Sequence, residues 1–375
     1  MSLFTRSLLK KLLIATIACG MLFPVVYGYL IVSHAPDNNI PAETGSTARP
    51  DQDISHFCQP DVAGKLSGKY TPEQLDFAVG LISAQLRQTL ANSASAREQA
   101  LAMYLGTRMN NGYAASYLQQ HKECADSASC SQAVNVEAKN LRLRSFQELL
   151  QLAANTKDSN IYAYAYEACQ KYGSSQTSDL CSAVSATSWV QLNPAQPAAN
   201  FALLAEGLKR HQLQDIRAAL QMLAQIPEEI LIPSAESSLV QTAVFAALSA
   251  RGQDLWMNDS YASGFSSQSF FIAQEACQFA VKSDPDIAPV CAQLATQLAT
   301  HSNRILDRAA AASIGKGSGW SNTQAEKLTA ESAVLFDKLK ALQSTMRNGS
   351  CSSFAQSSIK LRQIFQQGEL ASMRE

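Results

Sequence analysis

Charge is what this sequence has least of: Asp, Glu, Lys and Arg make up 16% of its 375 residues, and 31 acids nearly cancel 30 bases. A chain so balanced lacks the clustered positive charge that phosphate backbones require, which argues against nucleic acid as a partner. Histidine is as sparse, with 5 in all, and none of His56, His121, His211 or His301 has a second ligand at helical spacing. With no HExxH and no CxxC either, no metal or cofactor site is expected. GxSxG and Walker patterns are missing too, so no catalytic residue is assigned. Strand formers occur without period-two runs, which excludes a sheet as the organising element. What remains is a chain rich in Ala, Gln, Ser and Leu, 46% hydrophobic, long enough to bury a core and biased towards helix.

The charge that does exist is unevenly placed. Arg6, Lys10 and Lys11 precede a stretch from Leu12 to Val32 that carries no charge, and its 21 residues at helical rise span about 30 Å, the hydrocarbon thickness of a bilayer. By the positive-inside rule the basic head stays cytoplasmic and the remainder, with 27 bases against 31 acids, is translocated. A cleaved signal peptide is the alternative, with Ser33 and Ala35 as small residues before the cut, but Pro36 follows directly and obstructs cleavage. The reading is a single-pass inner-membrane protein: cytoplasmic stub and signal anchor over 1–33, a flexible Pro-, Asn- and Asp-rich spacer over 34–57, and a periplasmic helical body over 58–375.

Eight cysteines lie beyond the anchor: Cys58, Cys124, Cys130, Cys169, Cys181, Cys277, Cys291 and Cys351. An even number in a translocated body reads as disulfides. Cys169 and Cys181 bracket one expected helical turn and Cys277 and Cys291 another, so each pair staples its own hairpin, and Cys124 and Cys130 bracket a short loop. Cys58 with Cys351 follows by elimination.

Apolar spacing and capping signals predict helices beginning at Thr71 and over 95–108, 132–153, 159–171, 178–192, 197–210, 214–226, 235–250, 268–282, 286–300, 322–347 and 352–371, separated by short Gly- and Pro-marked turns. Such a series predicts an all-α protein, an α-solenoid of antiparallel helical hairpins following the N-terminal transmembrane helix. The tetrapeptide Glu167-Ala168-Cys169-Gln170 recurs as Glu275-Ala276-Cys277-Gln278, an internal echo that supports a repeat. Tyr162, Tyr164 and Tyr166 alternate as in a strand, but their Ala-rich surroundings favour helix.

The run Trp189, Leu192, Asn193, Pro194 and Leu203-Leu204-Ala205-Glu206, with His301-Ser302, Ile314-Gly315 and Gly319-Trp320, resembles exported helical-repeat, tetratricopeptide-like proteins of proteobacteria over about residues 160–335. The resemblance implies a fold and a compartment and carries no activity. No strict 34-residue period runs through the chain.

Three features bear on function. Gly315, Gly317 and Gly319 follow a helix without a preceding strand, so a helix cap suits them better than a phosphate loop. Glu167 and Glu275 occupy matching positions of a repeat and are therefore expected far apart, unlike a glycosidase acid pair. Trp256, Tyr261 and Phe265 lie irregularly among Gly, Ser and Asn, as in a loop that docks a partner or tucks under helices. The functional expectation is a membrane-anchored periplasmic helical scaffold that binds a protein or peptide, held at the inner membrane by residues 12–32. The alternative is a cell-envelope enzyme acting on peptidoglycan, or its helical accessory domain, which an acid buried in a cleft would favour.

Overall fold

The computed structural model describes residues 59–60, 66–71, 84–107, 128–173, 177–226, 269–302, 304–346 and 349–374. The chain divides into two units, Met1–Arg49 and Pro50–Glu375, and every described residue belongs to the second. The anchor, the spacer and the helix expected at 235–250 lie outside the described residues.

Among the described residues that unit is helical apart from two two-residue strands, β1 (Gln59–Pro60) and β2 (Leu66–Ser67), paired antiparallel. A helix over 84–91, here α1, precedes α2 (Ala96–Thr107), α3 (Ala128–Asn155) and α4 (Ser159–Tyr172). Next come α5 (Ser178–Cys181), α6 (Ala186–Leu192), α7 (Pro197–Arg210) and α8 (Leu213–Gln225). The C-terminal part holds α9 (Ser269–Ser283), a 3-10 turn (Pro285–Ile287), α10 (Ala288–His301), α11 (Ile305–Gly317), α12 (Asn322–Met346), α13 (Cys351–Gln367) and α14 (Glu369–Arg374).

Local chemistry explains most boundaries. Asp158 caps α4 by accepting the Asn160 amide at 2.9 Å, and Asp284 caps the 3-10 turn through the Asp286 amide at 3.2 Å. Pro197 opens α7 at a position where its missing N–H costs nothing. At the other end of α7, His211 takes the left-handed conformation that closes a helix (φ 53°). Helices α7 and α8 then approach closely because Gly207 has no Cβ; one built there would meet Ile216 Cγ1 at 2.9 Å.

Packing proceeds along the chain. Helix α2 lies against α3 and α4, α4 against α6, α6 against α7, α7 against α8 and α9, α8 against α10, α9 and α10 against α11, and α11 against α12. One continuous apolar cluster runs through these elements from Leu86 to Leu328. A smaller one, of Ile305, Leu339, Ile364, Leu370 and Met373, gathers α11 to α14 at the C-terminal corner. The segment after β2 returns to this corner: Lys69 bridges Ser350, the Tyr70 amide donates to Gly349 O at 2.8 Å, and the Cys351 amide donates to Gly68 O at 3.1 Å.

Four sequence expectations need correction. The helix expected over 178–192 is two, because Ser185 is extended (φ −137°, ψ 154°) and caps α6 while the Tyr162 hydroxyl holds its backbone. No helix range covers 305–317 in the expected series, where α11 stands and includes Gly315 and Gly317. The helix expected over 352–371 ends at Gly368, whose positive φ of 85° starts α14 in a new direction. Finally, β1 and β2 lie in a stretch assigned no element.

Candidate functional site

Two of the expected disulfides are formed. Cys169, near the end of α4, bonds Cys181 in α5 with Cα atoms 5.6 Å apart, and Cys277 in α9 bonds Cys291 in α10 at 5.9 Å. Both separations suit an unstrained bridge across a helical turn. Cys351 is buried and disulfide-bonded. Cys58 and Cys124 lie outside the described residues, as does the side chain of Cys130. So do Trp256, Tyr261 and Phe265, the expected partner-binding residues.

Buried polar groups concentrate in two places. The first joins α4, α6 and α7. The Trp189 indole N–H donates to Ser159 Oγ and to Gln196 Oε1, each at 3.0 Å, and the Gln196 amide donates to Asn160 Oδ1 at 3.2 Å. The Asn200 amide closes the turn before α7 by donating to Pro194 O at 2.7 Å. The Glu206 carboxylate reaches back from α7 to accept the Ala186 amide at 3.0 Å, satisfying an orphan donor at the start of α6. Burial, with Glu206 beside it, pushes the Tyr166 hydroxyl well above the usual phenol range. The alternation of tyrosines is resolved by the helical turn: Tyr162 and Tyr166 face α6, the latter 5.3 Å from Trp189, while Tyr164 lies 6.4 Å from Tyr104 of α2.

The second place is the C-terminal corner, where sequence reasoning proposed nothing. Ser302 Oγ donates to Asp307 at 2.6 Å and accepts the Arg304 amide at 3.1 Å. Glu369, from the last helix, accepts the Ile305 amide at 3.1 Å and lies 3.9 Å from Arg304 Nε, with both side chains buried. Arg308 donates to Ala299 O at 2.7 Å and pairs with Glu331 at 3.1 Å, and Lys338 donates to Met373 O at 2.6 Å. In sequence the corner shows only Arg304, Asp307 and Arg308 ahead of a run of alanines.

In both places the buried acids are engaged with helix starts and with hydroxyl or guanidinium groups of neighbouring elements. Such an arrangement fixes the ends of helices against one another. The echoed acids differ: Glu167 is half-buried, accepts from the Tyr104 hydroxyl at 3.1 Å and pairs with Lys171 at 2.6 Å, whereas Glu275 is exposed. His301 ends α10 and is exposed. Gly315 lies inside α11, which Ser318 ends, rather than at its cap; the Trp320 amide donates to Gly315 O at 2.9 Å, and the indole lies where a Gly315 Cβ would stand. No family model, curated protein or solved structure matches the chain.

Proposed function

We propose that this chain is a membrane-anchored helical scaffold whose body lies in the periplasm and binds a protein or peptide partner. The observation that carries the reading is the order of packing, in which helices rest on others one or two places away in the described series, an order that supports an α-solenoid. Stapled turns at Cys169–Cys181 and Cys277–Cys291 favour an oxidising compartment, because such bonds do not persist against cytosolic thiols. Residues 12–32 provide the anchor and the basic head its orientation. Among the described residues no helix is long and apolar enough to cross a membrane, so the body has no second anchor there.

Recovery of the full chain from detergent extracts with its disulfides intact tests the reading. One stoichiometric protein partner, lost on reduction, is the expected result. Release of muropeptides by the purified chain would replace the scaffold by an envelope enzyme, and a C-terminal reporter active only in the cytoplasm would overturn the compartment.

A further inference from the structure

The last six described residues behave more like a bound ligand than like a continuation of the fold. Helix α14 is joined to α13 through Gly368 alone, at φ 85°, and is too short to be stable by itself. Yet Leu370 and Met373 are each only 5% exposed, set against Ile305 of α11, Leu339 of α12 and Ile364 of α13, apart from the main core. Polar contacts fix both its ends. At the first residue, Glu369 accepts the Ile305 amide and faces the buried Arg304 guanidinium; at the other, Lys338 holds Met373 O. Three features thus define the seat: a cationic and amide-lined end, an apolar floor, and a lysine at the exit.

We infer that residues 369–374 are a releasable intramolecular ligand, and that the groove they fill takes in trans a short amphipathic helix of the same chemistry. That chemistry is a carboxylate at the first position, leucine at the second and methionine at the fifth. The fit of α14 is incomplete, because the Ser372 hydroxyl is fully buried with no hydrogen-bond partner among the described residues. A partner segment with an apolar residue there fits better, since a buried hydroxyl without a partner is costly. The inference deepens the scaffold reading by naming a docking site and the class of ligand.

The test uses the full chain in detergent with its disulfides intact and a labelled peptide copying residues 367–375. Glu369→Gln in the protein weakens the internal occupant, so peptide affinity should rise by about tenfold, whereas the same change in the peptide should lower it by about tenfold. Alanine in place of Ser372 in the peptide should tighten binding. Hydrogen exchange on the unaltered chain reads release directly: amides of 369–374 should exchange at least about tenfold faster than those of 308–314. Exchange of 369–374 only in step with α11 would overturn the inference, and so would a cooperatively folded Glu369→Gln chain that binds no peptide. If that variant does not fold, the exchange result decides. Failure here leaves the partner-recovery experiment standing, because that one does not depend on which surface is used.

Discussion

The two stapled hairpins share a tetrapeptide and cysteine separations of similar length, 12 and 14 residues, but little else. The helix that carries Cys169 bears three tyrosines and, at its other end, a polar network with Trp189 and Gln196, and both cysteines are half-buried. Around Cys277–Cys291 the neighbours are mostly Ala, Leu and Ile, and the sulfurs are buried, with Cys277 2% and Cys291 0% exposed. Cys181 also sits in a four-residue helix that the polypeptide leaves at once, while Cys291 lies one turn into a fourteen-residue helix. A repeated cross-link therefore fixes a turn without fixing its surroundings: one hairpin is held by directional polar bonds, the other by close apolar packing.

The largest expected effect comes from removing each staple. In a chain-entropy account the 12- and 14-residue separations make the two bonds nearly equal, about 3 kcal/mol each. Replacing Cys277 and Cys291 by Ala should cost about 1–2 kcal/mol more than replacing Cys169 and Cys181, because it also empties packed volume in the core. Urea unfolding of the two double variants measures the difference, and equal losses would break the comparison. Under mild reductant the half-buried bond should open first, visible as thiol labelling at Cys169 and Cys181 before Cys277 and Cys291.

Alkaline pH should separate the hairpins next. Burial raises the Tyr164 hydroxyl from 10 to about 12. The fold favours the neutral phenol, so this contribution is fully present below pH 10 and is lost as pH rises through about 12, a fall of about 2–3 kcal/mol. Tyr166, raised further, extends the fall in the same direction. Tyr164→Phe should flatten the decline measured by urea unfolding between pH 10 and 12. An unchanged slope in that variant would assign the decline elsewhere.

Within the polar hairpin, Gln196→Leu deprives the Trp189 N–H and the Asn160 side chain of a partner and should cost about 1–3 kcal/mol. Tryptophan fluorescence during unfolding would show whether the loss is local to α6. The smallest contrast tests the echo itself: Glu167→Gln should cost about 0.5–1.5 kcal/mol through its bonds to Tyr104 and Lys171, and Glu275→Gln under about 0.5 kcal/mol. Equal effects would restore the equivalence that the shared tetrapeptide suggests.

Amphipathic helices were the legible part of this fold. Helices α2, α4, α7, α8, α9 and α10 stand within a few residues of their expected ranges: α2 and α4 open on the capping residues Ser95 and Asp158, α7 and α10 carry a proline in their first turn, and α8 buries one face through Ile216, Ala219, Leu220 and Leu223. Helix α11 has none of these signals. Its run of alanines is buried almost continuously from Ala310 to Gly315, so no face alternates with solvent, and its two glycines read as a turn. The break at Ser185 depends on Tyr162, 23 positions earlier, and no local pattern encodes that distance. The corner around Arg304 was invisible for a related reason: its partner Glu369 is contributed by the chain's last helix, and a lone acid in sequence looks like any solvated one.

The sequence by itself determined the helical class, the unequal placement of charge about residues 12–32 and the two local cysteine pairs, since each depends on neighbours within about four turns of helix. Only the tertiary structure decided which tyrosine meets which helix, that the segment following β2 returns to Gly349 and Cys351, and that Glu369 caps α11 from 64 positions away. Those outcomes depend on which buried donors find acceptors once the helices have packed. That accounting is made in space, where a carboxylate is stabilised by whichever amide and guanidinium the fold brings beside it.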